Sequence, residues 1–234
     1  MKRFYDEVAV QTAGNEGWQV TLDGRGIKTV KGTPQIVPAE ALAEALANEW
    51  IAQGDELDAS LFPKRDAVDY AIDIVAPDPA GLASKLVDYG DTDTLLYRAD
   101  PEDALYARQQ EVWEPIVKGF EAREGIGLTR VSGIMHRPQS EATIAHLRGR
   151  LSALNPFVLA GVEVMSNLAA SLTIGLCASE TGEIDEAIAL WAAACLEEEW
   201  QSDLWGRDHE EDNRRAKRKA DFLSAHAVTR LAPN

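Results

Sequence analysis

The chain has 234 residues, enough for one large domain or two small ones, and its 45% hydrophobic and 26% charged residues are the balance of a folded protein. A formal net charge of −16 repels phosphate backbones and anionic membranes, so the composition argues against a nucleic-acid partner and for a soluble monomer. The two cysteines, Cys177 and Cys195, have no CxxC or CxxH neighbour; they read as reduced core thiols, a disulfide between adjacent helices being the alternative.

The N-terminus, MKRFYDEVAVQ, turns polar at once and has the character of neither a signal nor a transit peptide, so a cytoplasmic location is expected. The first 36 residues read as β structure. Val8 and Val10 alternate with polar neighbours, as do Trp18, Val20 and Leu22, and DGRG predicts a turn into a strand carrying Ile27 and Val30. The glycines do not make a phosphate loop, since no GxxxxGK(S/T) follows and no helix opens after them.

From Pro38 the pattern becomes helical, with Leu42, Leu46 and Trp50 on one face and Gly54 as a stop. A second helix is expected around Ala67, Tyr70, Ala71 and Ile74, ended by Pro77, Asp78 and Pro79. That break is the expected boundary between a β-rich N-terminal domain, residues 1–78, and an all-helical C-terminal domain, residues 79–234, giving an α+β chain.

Beyond it, helices are expected at about 80–89, from near Pro101 through Leu105, Gln109 and Trp113 until Pro115 kinks or restarts the helix, and at about 139–153, 156–178, 184–205 and 208–228. Residues 126–140 read as irregular or weakly extended. The stretch 157–178 is long enough to cross a bilayer, but Glu163, Ser166, Asn167, Ser171 and Thr173 interrupt it, so it reads as a buried helix with no membrane insertion.

Chemical motifs are sparse. His136, His146, His209 and His226 stand outside ligand spacing, and neither HExxH, ExxH nor GxSxG occurs. No catalytic residue, metal or cofactor is predicted. Residues 184–196, IDEAIALWAAACL, are apolar on nearly every side and predict a helix buried in the middle of a bundle.

In LEEEWQSDLWG, residues 196–206, the successive glutamates Glu197, Glu198 and Glu199 step by about 100° and cannot share one cleft. Leu196, Trp200 and Leu204 form a stripe, with Glu199 and Asp203 beside it. Glu197 flanks its other side next to Trp200 and Gln201, and Glu198 points towards Trp191 and Trp205. Two readings stay open: a rim that a protein partner reads, or acids paired with the basic stretch NRRAKRKADF, residues 213–222.

Several segments then carry a resemblance. RFYDEVAV, VTLDGRGIKT, a helix ending NEW, YAID, DTDTLLYRA followed by Pro101, QEVWEP and LEEEWQSDLWG occur in this order. In these the chain resembles the assembly-factor family that chaperones the α subunit of the F-type ATP synthase head. The resemblance implies a small β-rich domain before a helical one, no catalysis, no cofactor, and transient binding of the free α subunit until it pairs with β.

It marks Glu197 first and Trp50 second as partner-binding positions, with Glu199, Trp200, Gln201, Asp203 and Trp205 around the former. Trp50 reads as well as a core tryptophan completing the Leu42–Leu46 stripe. The chain departs from the family at Lys64, Arg65 and Asp66, where a more neutral segment is usual, and at Glu114, where Asp is usual. It also lacks the import extension of mitochondrial members, which implies a bacterial cytoplasm. The alternative from another class is an enzyme built on a carboxylate cleft, with or without a metal near Glu197 or Glu199.

Overall fold

Strand β1 (Val8–Thr12) pairs antiparallel with β2 (Trp18–Leu22), placing Val8 opposite Leu22 and Val10 opposite Val20. Asp23 and Gly24, both at positive φ, turn the chain into β3 (Arg25–Gly26), as an Asp-Gly pair between alternating strands should. The third strand is much shorter than expected. Ile27 continues the hairpin with one hydrogen bond to Val20, but Val30 is 84% exposed, because residues 29–35 turn away. That loop is held by two carboxylates: Asp69 accepts from Val30 N–H and the Gln35 amide, and Asp73 from Thr29 Oγ1 and Lys31 N–H. Strand β4 (Ile36–Val37) returns to β2.

Helix α1 (Glu40–Ile51) buries Leu42, Leu46 and Trp50 on the face that the four-residue spacing predicts. Helix α2 (Pro63–Tyr70) begins beneath Glu49, whose two carboxylate oxygens accept from the Lys64 and Arg65 N–H groups, each at 2.9 Å. Those are free donors of a first helical turn, satisfied here from another helix. Beyond Tyr70 the chain widens into a π-helical turn over Ala71–Val75, with Ala76 N–H donating to Ala71 five residues back. The buried face runs through Val68, Ala71 and Val75, and the expected inward Ile74 is exposed.

The structure, a computed structural model, describes residues 1–133 and 135–232, and its contacts divide the chain into two units. The first gathers Met1–Pro79 with Leu154–Gly161 and the chain from Ala227 onward, and its core includes Tyr5, Val20, Val37, Leu46, Phe62 and Val228. The second comprises Ala80–Ala153 and Val162–His226. The result is the α+β class expected: a small strand-rich N-terminal region, then helices, with ten α-helices among the described residues.

Helix α3 (Pro79–Asp91) leads to a tight turn at Thr94–Leu96 and strand β5 (Tyr97–Arg98), which pairs in parallel with β6 (Val131–Ser132) inside the segment expected to be irregular or weakly extended. Ile134, in that segment, lies outside the described residues. Helix α4 (Ala104–Glu124) runs through Pro115 without a restart. Helix α5 (Glu141–Ser152) starts at Ser140, whose hydroxyl caps Thr143 N–H.

The expected helix over 156–178 is two helices, α6 (Pro156–Ala169) and α7 (Leu172–Glu180). Ala170 takes positive φ, and Ser171 caps Ile174 N–H. Asp93 supplies a second acceptor, to Thr173 N–H at 2.8 Å, so the break is fixed by a residue far away in the chain. The returning helix packs tightly: a Cβ on Gly175 would overlap Ser166 Oγ and lie 3.1 Å from Val162 O. Glu163, the charge within this apolar stretch, is buried and paired with Lys85 at 2.9 Å. No helix among the described residues is long and apolar enough to cross a membrane.

The expected helix over 184–205 also divides, at Cys195, into α8 (Ile184–Ala194) and α9 (Leu196–Trp205); α10 (His209–Leu231) follows. Both cysteines are free thiols. Burial pushes the Cys195 thiol up to about 11. At pH 8 its thiolate fraction is then about one part in a thousand, so peptide mapping after brief native alkylation should find Cys195 unmodified and, after denaturation, fully modified.

Candidate partner-binding surface

The quoted motifs of the second unit meet around Gln109. Its side-chain oxygen accepts from Ala99 N–H at 2.8 Å, and its Nε2 donates to Glu197 at 2.6 Å. Arg98 donates to the Gln109 carbonyl at 3.0 Å, pairs with Glu114 at 3.2 Å and lies over the Trp113 ring. Trp113, fully buried, donates its indole N–H to Ala193 at the end of α8. Glu114 also reaches Arg130 at 3.0 Å.

The three glutamates diverge to different partners. Glu197 is half-buried on Gln109. Glu198 pairs with Arg218 and Arg215, and Glu199 with Arg215 and, at 2.9 Å, Arg207. Arg207 also lies 3.8 Å from Asp203, so one cation screens the two acids that a four-residue spacing would set against each other. Arg215 and Arg218 come from the basic stretch, so the pairing reading describes Glu198 and Glu199. Neither Arg98 nor Gln109 stood out in the sequence as a partner of the glutamate run, because nothing local links them to it.

Burial raises the Glu197 carboxyl above its usual value, and the Gln109 hydrogen bond offsets this in part. A raised acid contributes stability that is full below the unfolded value and lost as pH rises through the folded one. Glu197→Gln keeps an acceptor for Gln109 and removes the titration. Its melting temperature should therefore exceed that of the parent at pH 7.5, with the gap closing as pH falls through the raised folded value towards the unfolded one. A variant less stable at pH 7.5 would contradict this. Glu197→Lys, in contrast, aims an ammonium at a buried amide donor and should destabilise.

The remaining predicted positions form a gradient of exposure. Leu196 is buried, Trp200 half-buried, and Gln201 and Asp203 exposed; Leu204 and Trp205 are 65% and 86% exposed. The stripe therefore leaves the core within one helix, and its last apolar side chains project into solvent. Trp50 lies in the other unit, within its aromatic core against Tyr5 and Phe62. The structure does not place it with the glutamate run in one unit.

Helix α8 is not buried all round. Ile184, Ala189 and Ala192 are exposed, and α8 and α4 flank an open apolar groove of about 680 Å³ lined by Val112, Ile116, Phe120, Leu190 and Ala193. The apolar character of residues 184–196 was the signal for this surface; it reads equally as burial. Among the described residues, no three His, Cys, Asp or Glu side chains are grouped to hold a metal.

Residues 2–121 match a family profile described as ATP12 chaperone protein. The mitochondrial atp12 protein of Schizosaccharomyces pombe is 30% identical over 237 aligned residues, covering 93% of this chain and 79% of that protein. Crystal structures of Atp12 from Paracoccus denitrificans superpose with a TM-score of 0.91 at 32% identity, covering 99% of this chain and 98% of theirs. A candidate chaperone from Agrobacterium tumefaciens superposes at 0.93, also at 32% identity, over 99% of this chain and 86% of its own.

Proposed function

We propose, from the premise that this chain belongs to the ATP12 chaperone family of ATP synthase assembly, that it holds the unassembled α subunit of the F-type ATP synthase until β replaces it. It acts in the cytoplasm as a monomer, without catalysis or cofactor. One observation carries the reading beyond the family: the second unit leaves apolar surface open where a folded chain normally covers it, at Leu204, Trp205 and the α4–α8 groove. A lone α subunit exposes the face that β later covers, and an apolar surface can mask that face until then. The exposed acids around Trp205 steer the encounter, and the apolar side chains supply the affinity. Glu197, Trp200 and Gln201 belong to this proposed surface through α9; Glu199 and Asp203 form its acidic edge.

No observation favours the carboxylate-enzyme alternative, because Glu197, Glu198 and Glu199 each already engage a donor within the chain. The test is aggregation of purified α subunit at equimolar chain, followed by addition of β. Suppression and then release into αβ complexes is expected. Aggregation that proceeds unchanged would overturn the reading, and so would a chain retained stoichiometrically in the finished synthase.

A further inference from the structure

The first unit holds a feature that the proposed client surface does not use. Phe4, Leu22, Ile27 and Trp50 line a pocket of about 450 Å³ between the β2–β3 hairpin and the end of α1. Phe4 is 61% exposed, an unusual state for a phenylalanine beside a core. The rim carries Arg25 and Lys28, both exposed and outside any ion pair among the described residues. In the second unit of this chain of net charge −16, Arg98, Arg130, Arg215 and Arg218 are by contrast paired with carboxylates.

The rim also carries one acid, Asp23, whose carboxylate offsets part of the Arg25 charge and leaves Lys28 outside any ion pair among the described residues. Asp23 Oδ1 accepts from the backbone N–H groups of Asp6 and Glu7, at 3.0 and 2.9 Å, which hold its carboxyl below the usual range. Arg3, stacked on Tyr5 at 4.5 Å, adds a further positive charge nearby. Trp50 adds an unmet demand: its indole N–H is buried and has no acceptor among the described residues.

We infer that this pocket binds a peptide segment of a protein partner in which a bulky apolar side chain adjoins an aspartate or glutamate. The apolar side chain enters between Phe4 and Ile27, and the carboxylate meets Arg25 and Lys28. The inference concerns a second surface, in the other unit, and stands whether or not the α subunit is the client.

The test uses the full chain with its tryptophan indoles labelled with nitrogen-15, the Trp50 resonance being assigned through Trp50→Phe. The probes are two blocked dipeptides, acetyl-Leu-Asp-amide and acetyl-Leu-Asn-amide. The aspartate peptide should shift the Trp50 indole resonance saturably, and the asparagine peptide should bind about tenfold more weakly, as loss of one charge-assisted contact implies. Arg25→Ala with Lys28→Ala should remove that difference while leaving the melting temperature unchanged, since both side chains are exposed. Absence of a shift, equal response to the two peptides, or a preference that survives the double variant would each overturn the inference. The α-aggregation assay is independent of all three outcomes.

Discussion

Asp93→Ala should cost about 3–4 kcal/mol of folding stability, the largest loss expected from any single polar substitution in the second unit. Asp93 is 1% exposed, and its two oxygens serve two different elements. One accepts from Leu95 N–H at 3.0 Å and closes the turn before β5; the other accepts from Thr173 N–H at 2.8 Å and satisfies the first turn of α7. The Ser171 and Thr173 hydroxyls also hydrogen-bond to it. Alanine leaves both buried N–H groups without an acceptor, at about 1–3 kcal/mol each, and opens a small void. Asparagine keeps one acceptor and should lose roughly half as much. Urea titration followed by circular dichroism reads both variants. A loss under about 1 kcal/mol for alanine would show that the α6–α7 break is held by its own backbone and not by Asp93.

That contact also explains which parts of the fold were legible in the sequence. Leu42, Leu46 and Trp50 predict their shared face because one helix and one core decide it. The break after Ala169 is invisible locally: residues 157–178 are mostly apolar on both sides of it, and the acceptor that pins the new helix lies 80 residues away. The division at Cys195 and the π-helical turn after Tyr70 are likewise imposed by packing on sequence that reads as continuous helix. Val228 and Ala232 join the core of the first unit from the far end of the chain, which no shift in composition announces. At the candidate surface, the divergence of Glu197, Glu198 and Glu199 follows from helical geometry alone. Their partners do not, because Gln109 lies 88 residues from Glu197. The exposed face of α8 reads as buried in the sequence for a physical reason: alanine and leucine in a helix look the same whether a neighbouring helix or a future partner covers them.

Trp205→Ala should weaken binding of the α subunit at least 30-fold, about 2 kcal/mol, while moving the melting temperature by less than 1 °C. The two halves of this expectation have separate causes. Trp205 is 86% exposed at the last position of α9, so its removal creates no cavity and leaves no donor stranded. A tryptophan held in water is costly unless something covers it, and tryptophans covered at interfaces carry a disproportionate share of affinity. Leu204→Ala should act in the same direction with a smaller effect, and combining it with Trp205→Ala should give less than the sum if both fill one site. Glu197→Lys is the instructive contrast, because it should lower stability and affinity together through Gln109. Affinity measured by titration calorimetry on the unassembled α subunit, with melting curves taken on the same samples, separates the two behaviours. If Trp205→Ala binds like the parent chain, the client does not meet the end of α9, and the α4–α8 groove becomes the surface to test next.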